Sequence, residues 1–298
     1  MSLKRADSAI EDLEIELLLE GLNRYYGYDF REYDSSTVRR RIRETMLASG
    51  IPTVSRLQEK VLHDPAFLRH FLRGFSSPGL SMFSDAAFYR AFRTRIVPML
   101  RTYPFIRIWQ LGCSTGEETY SLAILLQEEG VHQRSRIYAT DLSEETLAQA
   151  RTGEFSRSDA AVYAENYARA GGGRSFADYY SEVDEHLIIS PSLKRLIVFS
   201  EHNPVTDASF NEFQAVICRG VLSSFSRPLR ERVGGLIYDS LSRFGVLALG
   251  PFESIDALEH KSRYTVILDE GVRFYQKTGS AFVTGASSIR DRQSPFGS

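Results

Sequence analysis

The residues of this chain best suited to chemistry lie between Ile106 and Asp141. An apolar run, Ile106–Leu111, stops at Gly112, and Gly112-Cys113-Ser114-Thr115-Gly116 leads into Glu117-Glu118 at the start of a helix-like segment. A second apolar run, Arg136–Thr140, ends on Asp141. A glycine at a strand end lets a ligand approach the backbone closely. An acid about one strand-helix-strand unit further on can accept hydrogen bonds from both hydroxyls of a ribose. Asp141 can equally cap a helix starting at Ser143, and the two roles are compatible. The loop has neither Gly-x-Gly-x-x-Gly nor the Gly-Lys-Ser/Thr of a phosphate loop. Glu117 and Glu118 would repel a pyrophosphate and suit a ligand with positive charge, such as the ammonium and sulfonium of S-adenosylmethionine. The plainer reading is that two acids favour a helix N-terminus. The segment by itself leaves both open.

Such a loop and acid belong at the carboxyl edge of a parallel sheet, and the rest of the chain supplies one. Further strands are expected at Leu196–Phe199, Phe213–Cys218 and Val246–Leu249. Tyr264–Leu268 and Val272–Gln276 follow, joined across Asp269-Glu270-Gly271 in a hairpin pattern. Strands with crossovers followed by an antiparallel pair are how a seven-strand methyltransferase sheet ends. Residues 151–194, with Gly171-Gly172-Gly173 and Tyr163, Tyr167, Phe176, Tyr179 and Tyr180, are too many for a simple connection. They predict an inserted subdomain in which Leu187–Ile189 pairs with Leu196–Phe199. Residues 8–100 read as a helical N-terminal domain and linker helix, with Leu13, Leu17, Leu18 and Leu22 at helix spacing. Asp34-Ser35-Ser36 offers caps, and Phe83–Leu100 leads into the sheet domain at 101–277. Residues 278–298, small and polar, are expected to form a mobile tail.

Composition narrows the classes. At 298 residues, 43% hydrophobic, the chain can bury a sizeable core, and a net charge of −2 gives no overall field for nucleic acid or an anionic membrane. Cys113 and Cys218 are too few for a disulfide framework. No apolar run approaches the ~20 residues of a spanning helix, and the N-terminus lacks a signal-peptide core. A cytoplasmic protein is expected. The six histidines show no metal-ligand spacing, so no metal is expected. Trp109 reads as core and Cys113 as a packed thiol.

In order, GCSTGEETYSLAILL, ATDLSEETLAQARTGEFS, HNPVTD and CRGVLSSF resemble the CheR-type chemotaxis receptor (protein-glutamate) methyltransferases, as does the preceding MFSDAAFYRAF. The resemblance runs from about Leu13 to Lys277. It implies an α/β protein: a Rossmann-like, seven-strand class I methyltransferase domain with a small all-helical N-terminal domain and an inserted antiparallel β subdomain. It also implies S-adenosylmethionine as donor, with S-adenosylhomocysteine as product, and glutamate side chains of a chemoreceptor-like or other signalling protein as acceptor. Gly112, Ser114 and Glu117 match the family's cofactor loop, Glu117 meeting the amino group. Asp141 matches its ribose carboxylate and Asn203 its adenine-side asparagine. Pro204 stands where leucine is usual, and Arg219 and Val221 match positions flanking the fourth strand's end. The basic run Arg39, Arg40, Arg41 and Arg43 becomes a docking face for acidic receptor helices. Without the resemblance it would read as a solvated helix face, and it lacks the interleaved aromatics of a nucleic-acid site.

The departures bear on catalysis. Leu80 and Ser84 stand where the family has threonine and arginine, Gly220 replaces an asparagine, and Ser223-Ser224 replace Ile-Tyr. A glutamate acceptor (~4.3) is already ionised, so methyl transfer needs positioning and desolvation rather than a general base. An arginine fork would offset the burial of that carboxylate; Ser84 cannot, and Arg219 is a spatial candidate to replace it. Ser84, Arg219 and Ser224 are therefore the acceptor-side candidates. Two functions follow: a glutamate O-methyltransferase, or a catalytically degenerate relative that binds S-adenosylmethionine, its product or another nucleotide and signals by partner contact.

Overall fold

A computed structural model describes residues 2–76, 80–209, 211–256 and 258–278, with side chains from residue 9. The tail expected at 278–298 lies, beyond its first residue, outside the described residues. Four helices come first: α1 (Ser2–Tyr26), α2 (Ser35–Ser49), α3 (Val54–His63) and α4 (Pro65–Arg73). Each start after α1 is written in the sequence. Asp34, Thr53 and Asp64 accept hydrogen bonds from first-turn N–H groups of α2, α3 and α4, and Pro65 occupies a first-turn position that needs no donor. α2 ends at Gly50, whose φ of 63° suits a glycine. Next, α5 (Ala86–Ala91) widens into a π-helical turn, Phe92–Ile96, and resumes as α6 (Val97–Leu100). The widening precedes Pro98, which has no N–H to give.

The sheet domain then runs β1 (Ile106–Leu111), α7 (Glu117–Glu128), β2 (Ser135–Asp141), α8 (Glu144–Thr152), β3 (Glu154–Ser156), α9 (Ala160–Arg169), β4 (Tyr180–Val183) and β5 (His186–Ile189). It continues with α10 (Pro191–Lys194), β6 (Ile197–Glu201), β7 (Phe213–Cys218), α11 (Arg227–Ser240), β8 (Leu241–Leu249), β9 (Tyr264–Asp269) and β10 (Val272–Lys277). Seven strands form one sheet in the order β6-β2-β1-β7-β8-β10-β9. The first five are parallel, and β10 pairs antiparallel with both β8 and β9. This is the class I methyltransferase arrangement, α/β with an all-helical N-terminal part.

The inserted segment carries its own three-stranded antiparallel sheet, β3-β5-β4. This corrects one expectation: Leu187–Ile189 pairs with β3 and β4, whereas Ile197–Glu201 joins β2 at the edge of the main sheet. Both runs are short and apolar, so local pattern could not assign their partners.

Two cores flank the sheet. One joins Leu18, Leu22, Ile42, Leu57 and Phe71 of the N-terminal helices to Trp109, Val216 and the inner side of α11. The other packs Phe88, Phe92, the apolar face of α7 and the insertion's Tyr163, Tyr167 and Phe176 on the opposite face. The N-terminal helices are thus continuous with the core under one face of the sheet. No helix among the described residues is long and apolar enough to cross a membrane.

Candidate functional site

The chain turns left from β1 to β2 and β6, then crosses back to β7 on the other side of β1. A crevice opens where strand order reverses, outside the carboxyl ends of β1 and β7. The loop after β1, the end of β2 and the turn after β7 all reach it.

Gly112 and Gly116 have φ of 74° and 98°, and Ser114 is left-handed at 50°. A serine holds that conformation only where its surroundings enforce it. Here the Ser114 N–H donates to Asp141 Oδ2 at 2.9 Å. A Cβ on Gly116 would meet Ala150 Cβ at 3.2 Å and the Tyr120 ring at 3.3 Å, so glycine lets α7 pack closely. Asp141 Oδ1 also accepts from Ser143 N at 3.2 Å and from Ser76 Oγ at 2.7 Å. Asp141 is 2% exposed. Burial pushes its carboxyl above the ordinary range, and the Ser76, Ser114 and Ser143 donors pull the other way. An acceptor so placed, at the end of β2, has the chemistry to take a ribose diol.

The two glutamates of the loop part ways. Glu117 accepts from Thr115 Oγ1 at 2.6 Å, and burial raises its carboxyl above the ordinary range. Such a carboxylate gains from an incoming ammonium. Glu118 is structural: it accepts from Gln110 Nε2 at 2.9 Å and pairs with Arg219.

Arg219 is not the free cation that a replacement anchor requires. Its side chain is 3% exposed and divides its two terminal nitrogens between Glu118 and Asp85. The guanidinium lies 4.2 Å from the Phe88 ring centroid. Asp85 meanwhile caps α5, accepting from Phe88 N at 3.2 Å. Arg219 therefore ties β7, α5 and α7 together and, with Asp85, lines a cleft of about 440 Å³ alongside Leu80, Ser84, Gly220, Ser223 and Phe252. Glu253 closes the cleft's far side, its carboxylate accepting 2.9 Å hydrogen bonds from the N–H groups of Gly220, Ser223 and Gly250.

A second pocket lies against Asp141. Leu111, Gly112, Leu142, His202, Pro204, Val221 and Ser224 line it, together with Tyr33, Phe75 and Ser76. The apolar walls suit an adenosine and the carboxylate suits its ribose, so the donor and wall set fits S-adenosylmethionine. Asn203, expected beside the adenine, turns its Oδ1 to Val205 N at 3.0 Å, and its neighbours His202 and Pro204 face the pocket instead. Ser84 and Ser224, expected around one reacting centre, line different cavities: Ser84 the cleft, Ser224 the Asp141 pocket.

The basic run divides as well. Arg39, Arg40 and Arg43 line an exposed groove with Leu47, paired with Asp12, Glu44 and Glu11 respectively. Arg41 leaves that face. It is 5% exposed and donates to the Phe75 carbonyl and to Ser224 Oγ, so it cannot belong to a docking surface. Sequence reasoning also missed Tyr33, Phe75, Ser76 and Glu253. Glu253 had a signal, a carboxylate just after Gly250-Pro251 at a strand end; the others had none.

Comparison with known proteins fits this geometry. Residues 81–268 match the CheR methyltransferase, SAM binding domain, and residues 13–76 match the CheR methyltransferase, all-alpha domain. The chain belongs to the CheR methyltransferase family. It is 43% identical to a Pseudomonas putida protein named as a methyltransferase, Cher3, over 85% of this chain and 93% of that one. It is 26% identical to a Listeria innocua chemotaxis protein methyltransferase over 83% and 92% of the two chains. With chemotaxis protein methyltransferase 1 of Pseudomonas aeruginosa the identity is 25%, over 73% and 81%. As a member of that family it is an S-adenosylmethionine-dependent methyltransferase, and the matched SAM binding domain contains β1, β7 and the crevice above them.

Proposed function

We propose that the chain transfers a methyl group from S-adenosylmethionine to glutamate side chains of a chemoreceptor-like signalling protein in the cytoplasm. The observation that carries this reading is the turn after β7: Gly220 lines the cleft and the adjacent Val221 lines the Asp141 pocket. One turn therefore forms a wall of both cavities, which sets the cleft beside the pocket assigned to the methyl donor. When bound, S-adenosylmethionine supplies the electrophilic methyl. Gly112, Ser114, Glu117, Asp141, Pro204, Gly220 and Val221 are assigned to holding it, with Ser224 beside them in the Asp141 pocket, and Ser84 and Arg219 to the acceptor side. In this assignment Arg219 is a positioning residue, fixing Asp85 and the turn, because its charge is matched by Glu118 and Asp85. Arg39, Arg40 and Arg43 give the acidic helices of a receptor a docking face on α2, within a helical domain of residues 8–100. The sheet domain, 101–277, with its insertion at 151–194, supplies most of the lining of both cavities, and residues of 8–100 complete them.

The test is transfer of labelled methyl from S-adenosylmethionine to a panel of receptor signalling domains, followed by treatment with alkali. A glutamyl methyl ester releases its label as methanol in base. Label that survives base, or no label on any domain despite measurable cofactor binding, would overturn the glutamate reading.

A further inference from the structure

The pocket against Asp141 has the right lining for an adenosyl group but only about 30 Å³ of space. Sites for ligands of that size run to roughly 300 Å³ or more. The missing room is filled from the N-terminal side. Ser76 Oγ donates to Asp141 Oδ1 at 2.7 Å, taking one of the acceptor sites that a ribose hydroxyl needs. The Phe75 ring lies beside it, 4.3 Å from the Phe30 centroid and 5.0 Å from that of Phe71. Arg41, itself buried, donates to the Phe75 carbonyl and, at 3.3 Å, to Ser224 Oγ. Tyr33 completes the wall, bridging to Phe225 with ring centroids 4.8 Å apart. The arrangement is well satisfied: a buried carboxylate, a buried guanidinium and a backbone carbonyl each find partners without any ligand.

We infer that the Phe75–Ser76 segment, tied down by Arg41, is an intramolecular competitor for the ribose seat of the cofactor. Binding must exchange the Ser76 hydroxyl for a ribose hydroxyl on Asp141 and move the Phe75 ring away from the pocket. The apparent affinity is then the intrinsic affinity reduced by the fraction of molecules in which the seat is vacant. The inference rests on the reading that Asp141 receives the ribose.

Calorimetric titration of the full chain with S-adenosylhomocysteine tests it, using the wild type, Ser76→Ala and Asp141→Asn. Ser76→Ala removes one hydrogen bond to a charged group from the competing state only and should tighten binding about tenfold. Asp141→Asn should weaken it. Stopped-flow mixing adds a second readout: the wild-type binding rate should level off as ligand rises, at the rate of seat opening, and Ser76→Ala should raise that plateau. Unchanged or weaker binding by Ser76→Ala, with a rate that climbs linearly in both proteins, would overturn the competition while leaving the ribose seat intact. Undiminished binding by Asp141→Asn would overturn the ribose seat and the competition with it.

Discussion

Replacing Arg219 with glutamine separates a structural arginine from an acceptor anchor. The side chain is 3% exposed, with Glu118 at 10% and Asp85 at 32% on its two terminal nitrogens. Removing the cation strands the Glu118 carboxylate in the interior, and breaking a buried pair in this way costs about 3–5 kcal/mol. Loss of the Phe88 face adds about 1 kcal/mol, and a glutamine amide recovers about 1 kcal/mol through one hydrogen bond. A net loss near 4 kcal/mol lowers Tm by roughly 8–16 °C for a domain of this size. The loss comes from an unpaired carboxylate, so Glu118→Gln in the same background should recover about half of it. Thermal and urea unfolding of the wild type, Arg219→Gln and the double variant provide the measurement. A Tm for Arg219→Gln within roughly 2 °C of wild type, with only turnover lost, would refute the reasoning and return Arg219 to the acceptor.

Glu117→Gln should be more stable than wild type at neutral pH without cofactor. Burial raises the Glu117 carboxyl, so ionising it lowers stability as pH climbs from the ordinary value of 4.5 through the folded-state value, and the gap should close below that window. The same variant should bind S-adenosylhomocysteine about tenfold more weakly by calorimetry, having lost one charge-assisted contact. Joint replacement of Arg39, Arg40 and Arg43 by glutamine should cost no more than about 2 kcal/mol, because their ion pairs are exposed. It should abolish salt-sensitive co-sedimentation with receptor signalling domains. Ser84→Arg should raise kcat/KM on a carboxylate acceptor by about ten- to a hundredfold, the worth of one hydrogen bond between charged groups. Gly220 has φ 77° with nothing within 4 Å of a built Cβ, so Gly220→Asn should cost under about 1 kcal/mol in urea unfolding, and Gly220→Val more.

The sheet was legible because β1 and β7 are buried nearly throughout and read as largely apolar runs, interrupted by Arg107, Gln110 and Gln214, and because the last two strands flank a turn of turn-forming residues. The glycine loop and Asp141 were legible for a related reason: close backbone approach and a ribose acceptor each demand one residue type. The side-chain partners were not. Glu117 and Glu118 are equivalent as letters, yet one turn of α7 aims the first at the loop and the second at Gln110 and Arg219. Arg41 did carry a signal that its charge obscured. It falls on the stripe Val38, Arg41, Ile42 and Thr45, the buried face of α2, whereas Arg39, Arg40 and Arg43 fall outside it. Ser76 meeting Asp141 joins residues 65 positions apart, and no local pattern encodes that.

The replaced family residues then stop looking like independent losses. A tyrosine at position 224 would add a phenol ring to a pocket with about 30 Å³ of space, where Ser224 Oγ now receives Arg41. The small residue is what allows Arg41 and the Phe75 carbonyl to meet there. Gly220 needs no side chain to hold its turn, because Glu253 grips the backbone on both sides of it, at Gly220 N and Ser223 N. An arginine at position 84 would bring a second guanidinium to Asp85, whose Oδ2 already serves Arg219. At each of the three positions a neighbouring group holds the space or the carboxylate that the family's side chain would meet. Arg219, Arg41 and Glu253 thus occupy the surroundings of the replaced residues, and restoring one family residue at a time acts on their contacts as well as on the cavities.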